Sequence, residues 1–374
     1  MASTVARAEV AGATAEDTWS RYRDNLARHL IGISRDFQSR LRESLTHEYG
    51  FGGLRLSFAP LVAMIWSGGR PLGDVAATLG ISTQAASQLA NLIEEAGYLV
   101  RIPNPRDRRS KLVTLTPRGH ELVEQGIRII GEIETEYATL TGNATYRAFT
   151  AALVQLGRGL EPGTQRGRML PAGVHRSVAV LTMIAERIQR DLMEATLARG
   201  HEGLKMSHGQ VLPLIGPDGG RIHEIARIQR VSRQAASATT QELESLGYLE
   251  REPDPRDRRG VVLAFTPRGV ALIEDAVAAL DELDRAFFEI LGEKRLADLH
   301  RIARDLYLAL HLEAEVFETS AEASAASRDA DAEKARRSGR EIAALAERLQ
   351  QWLGREDAAR LVVALKPRTR RSTT

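Results

Sequence analysis

The chain has 374 residues, of which 43% are hydrophobic and 27% charged, and this length suits more than one ordinary globular domain. It contains no cysteine, which excludes disulfides, cysteine zinc sites and thiol chemistry. The sequence has neither an apolar run of the roughly 18 residues that span a membrane nor a signal peptide, so we expect a cytoplasmic protein without a membrane partner. With a net charge of only +2, any nucleic-acid surface must come from locally clustered basic residues.

The first part of the chain is predicted to be helical. Apolar residues recur every three or four positions over 19–45, which indicates one face of a long helix. A second helix is expected to begin near Phe58, and a short third one covers 72–79. Ser82 is expected to cap a fourth helix, because its hydroxyl can accept a free N–H of the first turn. Gly97 follows as the residue that ends this helix.

A β-hairpin is predicted next. Residues 99–102 and 111–115 alternate apolar and polar side chains, as antiparallel strands do, and the segment 104–107 between them has the composition of a turn. Thr116 is expected to cap a following helix with Pro117 at its first position, and two long helices complete the unit. A helix-turn-helix followed by a hairpin is a winged helix, so the sequence predicts this module.

The unit occurs twice at an offset of 150 residues. Between 97–119 and 247–269, 14 of 23 positions are identical. A duplication of this size builds two similar domains rather than a solenoid. We therefore predict a first winged-helix domain at 16–160, a linker at 161–173, a second winged-helix domain at 174–318, and a helical C-terminal extension with a basic tail at 319–374.

The predicted fold class is mainly α with small β-hairpin wings (α+β), in which two winged helix-turn-helix domains are joined by long dimerisation-type helices. The sequence shows no metal-ligand spacing, catalytic triad or phosphate-binding glycine loop. We therefore expect neither an enzyme nor a cofactor.

The start of each fourth helix is rich in small and hydrogen-bonding side chains. Glutamine can pair bidentately with adenine, arginine suits guanine, and serine or threonine can reach bases or phosphates. Ser82 and Ser232 are interpreted as caps only. The candidate DNA-reading residues are Thr83, Gln84, Ser87 and Gln88 in the first copy and Arg233, Gln234 and Ser237 in the second.

The turn of each hairpin concentrates arginine. Clustered like charges are costly unless they meet anions, and inserted arginines suit a narrow minor groove, although a solvated turn is the commoner fate of a charge run. The candidate DNA-contacting residues of the wings are Arg106, Arg108, Arg109 and Lys111 in the first copy and Arg256, Arg258 and Arg259 in the second. We expect Asp107 to pair with Arg109, and Asp257 with Arg259, and so to stiffen the hairpins.

The signature Gly-Tyr-Leu, Pro-Arg-Asp-Arg-Arg and Leu-Thr-Pro-Arg-Gly within 97–119 resembles the MarR family of bacterial transcription regulators, and the second copy keeps it with Phe265 in place of Leu115. The resemblance covers roughly 20–160 and 175–312. It implies double-stranded DNA as partner, with two recognition helices in successive major grooves and wings in the minor groove. Many members are released from DNA by small aromatic acids or phenols, so such an effector is an expectation here.

The tandem fusion leaves two arrangements open, because the repeats can pair within one chain as a pseudo-dimer or between two chains. Thr83 is replaced by Arg233 and Gly80 by Arg230, so we expect an imperfect palindrome with half-site centres about 34 Å apart. Repression is the expected mode, because it is commonest in the family. The rival function is a winged helix that binds protein and does not read DNA.

Overall fold

The structure, a computed structural model, covers most of both repeats. It describes residues 13–55, 57–105, 107–160, 176–216, 219–229, 231–254 and 260–312. All of these belong to one compact unit. The predicted linker at 161–173 and the predicted extension at 319–374 lie outside the described residues.

The first repeat has the predicted order of helices and strands. Its elements are α1 Ala13–Arg23, α2 Leu26–Glu43, α3 Phe58–Ile65, β1 Arg70–Pro71, α4 Leu72–Leu79, α5 Thr83–Glu95, β2 Leu99–Asn104, β3 Asp107–Leu115, α6 Pro117–Thr141 and α7 Asn143–Leu160. A π-helical turn, Ser44–Glu48, extends α2.

The single long helix predicted over 19–45 is in fact two helices. Asn25 interrupts it, with an extended backbone at φ −152° and ψ 159°. Its side-chain oxygen accepts a hydrogen bond from the backbone N–H of Arg28, and its amide donates to the carbonyls of Arg21 and Tyr22. One asparagine therefore ends α1 and begins α2, because it satisfies backbone groups on both sides of the break.

The second repeat follows the same order of helices and hairpin, with a shorter helix in place of α3. Its elements are α8 Arg176–Ala198, α9 His208–Val211, α10 Ile222–Ile228, α11 Arg233–Ser245, β4 Leu249–Pro253, β5 Val261–Phe265, α12 Pro267–Leu291 and α13 Glu293–Ala309. A 3₁₀ turn, Leu212–Leu214, replaces the continuation of α9. Pro213 lies in this turn, and proline has no N–H for an α-helical hydrogen bond.

The two hairpins pair in equivalent registers. Leu99 lies opposite Leu115 in the first sheet, and Leu249 lies opposite Phe265 in the second. β1 adds a strand to the first sheet, which has the order β1-β3-β2, while an isolated bridge takes its place in the second repeat. The first hairpin is longer than predicted, because β2 and β3 continue into the turn segment as far as Asn104 and Asp107.

The two repeats share one large apolar core. It joins α2, α6 and α7 of the first repeat to α8, α12 and α13 of the second. Among its fully buried residues are Leu30, Ile33, Leu156, Ile184, Ile188, Phe287, Leu299 and Leu306. A smaller core lies within the second helix-turn-helix and its hairpin. The long helices of both repeats therefore form a common base for two helix-turn-helix lobes.

Glycines let helices of different repeats approach closely along this base. A Cβ atom on Gly32 of α2 would lie 2.5 Å from the Tyr307 ring, and one on Gly159 of α7 would lie 2.5 Å from Ile290. Real Cβ atoms do not come so close to other heavy atoms. The interface between the long helices of the two repeats, which we call the seam, therefore depends on glycine at both positions.

The predicted fold class is confirmed: the protein is mainly α-helical, with two winged helix-turn-helix lobes joined by long helices. Within the described ranges, no helix combines the length and the apolar character that a membrane crossing needs.

Candidate nucleic-acid interface

α5 and α11 begin as the sequence predicts. The Ser82 hydroxyl accepts the N–H of Ala85 at 3.1 Å, and the Ser232 hydroxyl accepts the N–H of Ala235 at the same distance. Both serines are therefore caps, as interpreted. Gly80, before the first of these helices, has φ 67°, a left-handed conformation that glycine adopts without strain.

The candidate reading residues lie on the outer face of these two helices. Ala86 and Ala236 are buried beneath them, which fixes the orientation of each first turn. The side chains that face solvent are Thr83, Gln84 and Gln88 on α5 and Arg233 and Gln234 on α11, while Ser87 and Ser237 are half-buried. The exposed side chains can therefore meet a DNA groove without rearrangement of the lobe.

The wing tips are only partly described. Lys111 and Asp107 lie exposed on β3, whose backbone also includes Arg108 and Arg109. The side chains of Arg108 and Arg109 lie outside the described residues, as do Arg106 and the whole segment 255–259, which holds Arg256, Asp257, Arg258 and Arg259. The pairing of Asp107 with Arg109, and of Asp257 with Arg259, stays a prediction.

The base of the second wing holds an ion pair that the sequence did not indicate. Asp254 is 5% exposed and accepts two hydrogen bonds from Arg221, at 2.6 Å and 2.8 Å. The first repeat has Asn104 in place of Asp254, and the Asn104 amide donates to the Ser110 hydroxyl at 2.8 Å. The two equivalent residues therefore make different contacts: Asp254 joins the second hairpin to Arg221 outside it, whereas Asn104 joins the two strands of its own hairpin.

The arginine of each Thr-Pro-Arg-Gly motif has a structural position. The Arg118 guanidinium lies 5.9 Å from the centre of the Tyr98 ring and donates to the carbonyl of Gly50 at 3.0 Å. The Arg268 guanidinium lies 4.7 Å from the centre of the Tyr248 ring. These arginines tie the long helix of each repeat to its lobe.

Two buried histidines distinguish the second lobe from the first. His201 lies between the Tyr248 hydroxyl, at 3.2 Å, and the Asp275 carboxylate, at 2.9 Å. His208 lies 2.9 Å from the Glu242 carboxylate on α11. Hydrogen bonds from Lys205 and His208 lower the pKa of Glu242.

The equivalent positions of the first repeat, 51 and 58, are phenylalanines, so polar contacts replace apolar ones in the second lobe. The sequence predicts His201 to be a surface or cap residue, which is wrong because it is buried, and it indicates no role for His208. Their carboxylate partners are 74 and 34 positions away, so no local pattern indicates them.

A cluster of aromatic and basic side chains lies where α1 and α2 meet the second repeat. We call Trp19, Tyr22, Arg28, His29 and Tyr307 the junction cluster. The Trp19 ring contacts the Tyr22 ring, and the His29 ring lies 4.9 Å from that of Tyr307, centre to centre. Three of its atoms are buried with no hydrogen-bond partner: Trp19 Nε1, Arg28 Nε and His29 Nδ1.

Burial shifts the ionisation of the junction cluster. It raises the pKa of Tyr22 to about 12 and lowers the pKa of Arg28. The pKa of His29 falls to about 4, although Asp24, 2.9 Å from its Nε2, opposes the shift. His29 is therefore a neutral base at physiological pH. In the part of the chain that is described, no three His, Asp or Glu side chains converge as metal ligands would.

Comparison with known proteins gives matches in both repeats. A model described as the MarR family matches residues 61–110 and 202–260. The Transcriptional activatory protein BadR of Rhodopseudomonas palustris is 39% identical over 56 residues, which are 15% of this chain and 32% of that relative. The chain therefore matches about a third of that relative's length.

Solved structures are also similar over one repeat's length. A transcriptional regulator, Tm0710 from Thermotoga maritima, is 25% identical over 32% of this chain and 83% of its own, with a TM-score of 0.25. CouR from Rhodococcus jostii RHA1, solved with p-coumaroyl-CoA, is 23% identical over 37% of this chain and 91% of its own, with a TM-score of 0.29.

Proposed function

We propose that this chain, both of whose repeats match the model of the MarR family, is a sequence-specific DNA-binding transcriptional regulator that acts as a repressor. The observation that carries the proposal is the pair of capped, solvent-facing helix starts, each followed by a hairpin. Gln84 and Gln234 present amides that suit adenine, and Arg233 presents a guanidinium that suits guanine. Double-stranded DNA is the proposed partner.

We further propose that the two repeats act as an intramolecular pseudo-dimer. The shared core supports this pairing, as do polar contacts across the seam: Arg304 binds Asp24 at 3.0 Å, and the Gln155 amide donates to the carbonyl of Ile290 at 2.8 Å. Sedimentation of the purified protein with an operator-length duplex tests the idea. We expect one 41.1 kDa chain per duplex. An obligate dimer of chains would contradict it and favour swapped pairing.

The operator is proposed to be an imperfect palindrome. Thr83 on α5 and Arg233 on α11 occupy equivalent exposed positions, so the two lobes present different groups to their half-sites. Selection of bound fragments from a genomic library would test this. Two unequal half-sites with centres about 34 Å apart are expected, and two identical half-sites would contradict the proposal.

Direct DNA reading is tested by a pair of variants. Gln84→Ala and Gln234→Ala should each weaken binding to the selected duplex, by about 1–3 kcal/mol per bidentate base contact, with little effect on random DNA. Ser245→Ala, at an exposed position near the end of α11, is the control. If the folded protein binds no duplex at low salt, the protein-interaction alternative is favoured.

The wings are tested by salt dependence. Arg108→Ala and Arg258→Ala together should weaken binding and reduce the slope of log affinity against log salt by about two. An unchanged slope with unchanged affinity would indicate that the wing arginines do not contact phosphate.

A small aromatic acid is the proposed effector, and the junction cluster supports this choice. Trp19 Nε1 and Arg28 Nε are buried donors without a hydrogen-bond partner and can bind a carboxylate, and the rings of the cluster can pack against an aromatic ring. The first helix of the second repeat aligns with α2 at an offset of 151 rather than 150, because its apolar residues Leu181, Ile184 and Ile188 then match those of α2. At this offset Ala179 and Val180 stand in place of Arg28 and His29, so we expect one ligand per chain.

Calorimetry and DNA release with 4-hydroxybenzoate test the effector proposal. Binding at one site per chain, with displacement of the duplex, is the expected result. Arg28→Met should abolish both effects and leave DNA binding intact. Ligand binding that survives Arg28→Met would place the effector site elsewhere.

A further inference from the structure

Two arginines at equivalent positions reach from a hairpin strand to the helix that precedes it. Arg101 on β2 donates to the Glu94 carboxylate and, from a second nitrogen, to the Asn91 side-chain oxygen at 2.7 Å. Arg251 on β4 donates from Nε to the Glu244 carboxylate at 2.8 Å. The contact thus recurs in both repeats, although many neighbouring residues have changed.

We propose that Arg101 and Arg251 are positioning residues that hold each wing at a fixed angle to its recognition helix. The inference rests on the proposed DNA binding. A hairpin has little stability of its own, and β1 adds only two paired residues to the first one, so the direction of each hairpin depends on what it packs against. A planar guanidinium that binds acceptors on a helix supplies a directional contact at the hairpin's edge. Wing and helix then meet the DNA as one preorganised body, which lowers the ordering cost of binding.

The two contacts differ in strength. The Arg101 side chain is 20% exposed and binds two acceptors, whereas that of Arg251 is 43% exposed and binds one, because Gln241 replaces Asn91. Solvent weakens exposed ion pairs. The second wing has its own buried anchor at its base, the pair of Arg221 with Asp254. Removal of Arg101 should therefore affect its wing more than removal of Arg251.

The competing reading is that these arginines bind DNA phosphates directly. A change at the Glu94 carboxylate gives a different result under each of these two interpretations. If Arg101 acts through Glu94, then Glu94→Gln should weaken DNA binding, because the contact between Arg101 and residue 94 loses its ionic character. If Arg101 binds phosphate, Glu94→Gln should leave binding unchanged or strengthen it, because a negative charge near DNA is removed.

The experiment measures affinity for the selected duplex at several salt concentrations, together with hydroxyl-radical footprints. Arg101→Met and Glu94→Gln should each lose about fivefold in affinity without a change in salt slope. Protection of the wing's minor-groove segment should fall, while the major-groove segment read by α5 stays protected. The charge-swapped double variant, Arg101→Glu with Glu94→Arg, should recover most of the loss.

Arg251→Met should show the same pattern with a smaller loss, and Arg301→Met, at an exposed site on α13, is the control for charge removal. A salt slope that falls by about one in Arg101→Met, with Glu94→Gln unaffected, would overturn the inference in favour of a phosphate contact. Equal loss of all protections together with a lower melting temperature would overturn it in favour of a general structural role. If the unmodified protein binds no duplex, the proposed function itself fails.

Discussion

Gly119 and Gly269 occupy the same position in the two Thr-Pro-Arg-Gly motifs, and each lies against a backbone carbonyl. A Cβ atom would lie 2.1 Å from the Tyr98 oxygen in the first repeat and 2.2 Å from the Tyr248 oxygen in the second. Because backbone atoms cannot move aside as a flexible side chain can, no larger residue fits there without displacing α6 or α12 from the hairpin.

Gly119→Ala should therefore destabilise the protein by about 1–3 kcal/mol, as overpacking does. Gly126→Ala is the matched control in the same helix, because a Cβ atom there meets no atom within 4 Å. The control should stabilise the helix by up to about 1 kcal/mol. Urea unfolding of the two variants measures the difference, and equal effects would contradict the close approach.

His29 makes stability depend on pH. Its pKa is about 4 in the folded state and about 6.5 for an ordinary histidine in the unfolded chain, so the unfolded chain binds more protons between these limits. Stability from His29 is fully present above pH 6.5 and is lost as pH falls towards 4, by about 3 kcal/mol at most. His29→Val, which copies the second repeat, should lack this loss. Equal pH dependence of unfolding in both proteins would contradict the shifted pKa.

At the scale of elements, the sequence predicted most boundaries because caps act locally. Ser82, Ser232, Thr116 and Thr266 each accept the backbone N–H of the third residue after them, as their sequence context indicates. The break at Asn25 was missed, because the apolar period continues across it and a helix pattern does not show a change of direction.

Asn25→Ala should lower the free energy of unfolding by about 1 kcal/mol or more, because the residue no longer caps the end of α1 and the start of α2. Ser82→Ala, which removes a cap with one hydrogen bond, gives the comparison. Thermal unfolding measures both. A smaller loss for Asn25→Ala than for Ser82→Ala would show that the chain tolerates one continuous helix there.

The candidate site was only partly predictable at this scale. The outward direction of residues at helix starts follows from capping and periodicity. Thr83, Gln84, Gln88, Arg233 and Gln234 are exposed, whereas Ser87 and Ser237 are half-buried. The anchors of the wings do not follow, because Arg221 and Asp254 are 33 positions apart and any of several acidic residues could pair with a given arginine. Long-range ion pairs are set by how the elements pack, which no local pattern specifies.

At the scale of the whole molecule, the sequence repeat predicts two similar domains but not the residue contacts at the seam between them. Gly159 lies against Ile290 of the other repeat so closely that an added methyl group would overlap its side chain. Gly159→Ala should therefore lower the free energy of unfolding by about 1–3 kcal/mol through overpacking. When Ile290→Ala is combined with it, part of that loss should be recovered. A double-mutant cycle from urea unfolding measures the coupling, and strict additivity of the two changes would contradict a tight seam.

The shared core also has a consequence for synthesis on the ribosome. The helices that cover α2 and α7 include α13, which is made last among them, and the ion pair of Arg304 with Asp24 joins positions 280 residues apart. At translation rates of about 5–20 residues per second, α7 waits roughly 7–30 seconds for α13 to emerge. During that interval the part of the apolar face that α13 covers stays exposed. On a crowded polysome the same surface is open to a neighbouring nascent chain, so we expect timing as well as affinity to influence which repeats pair.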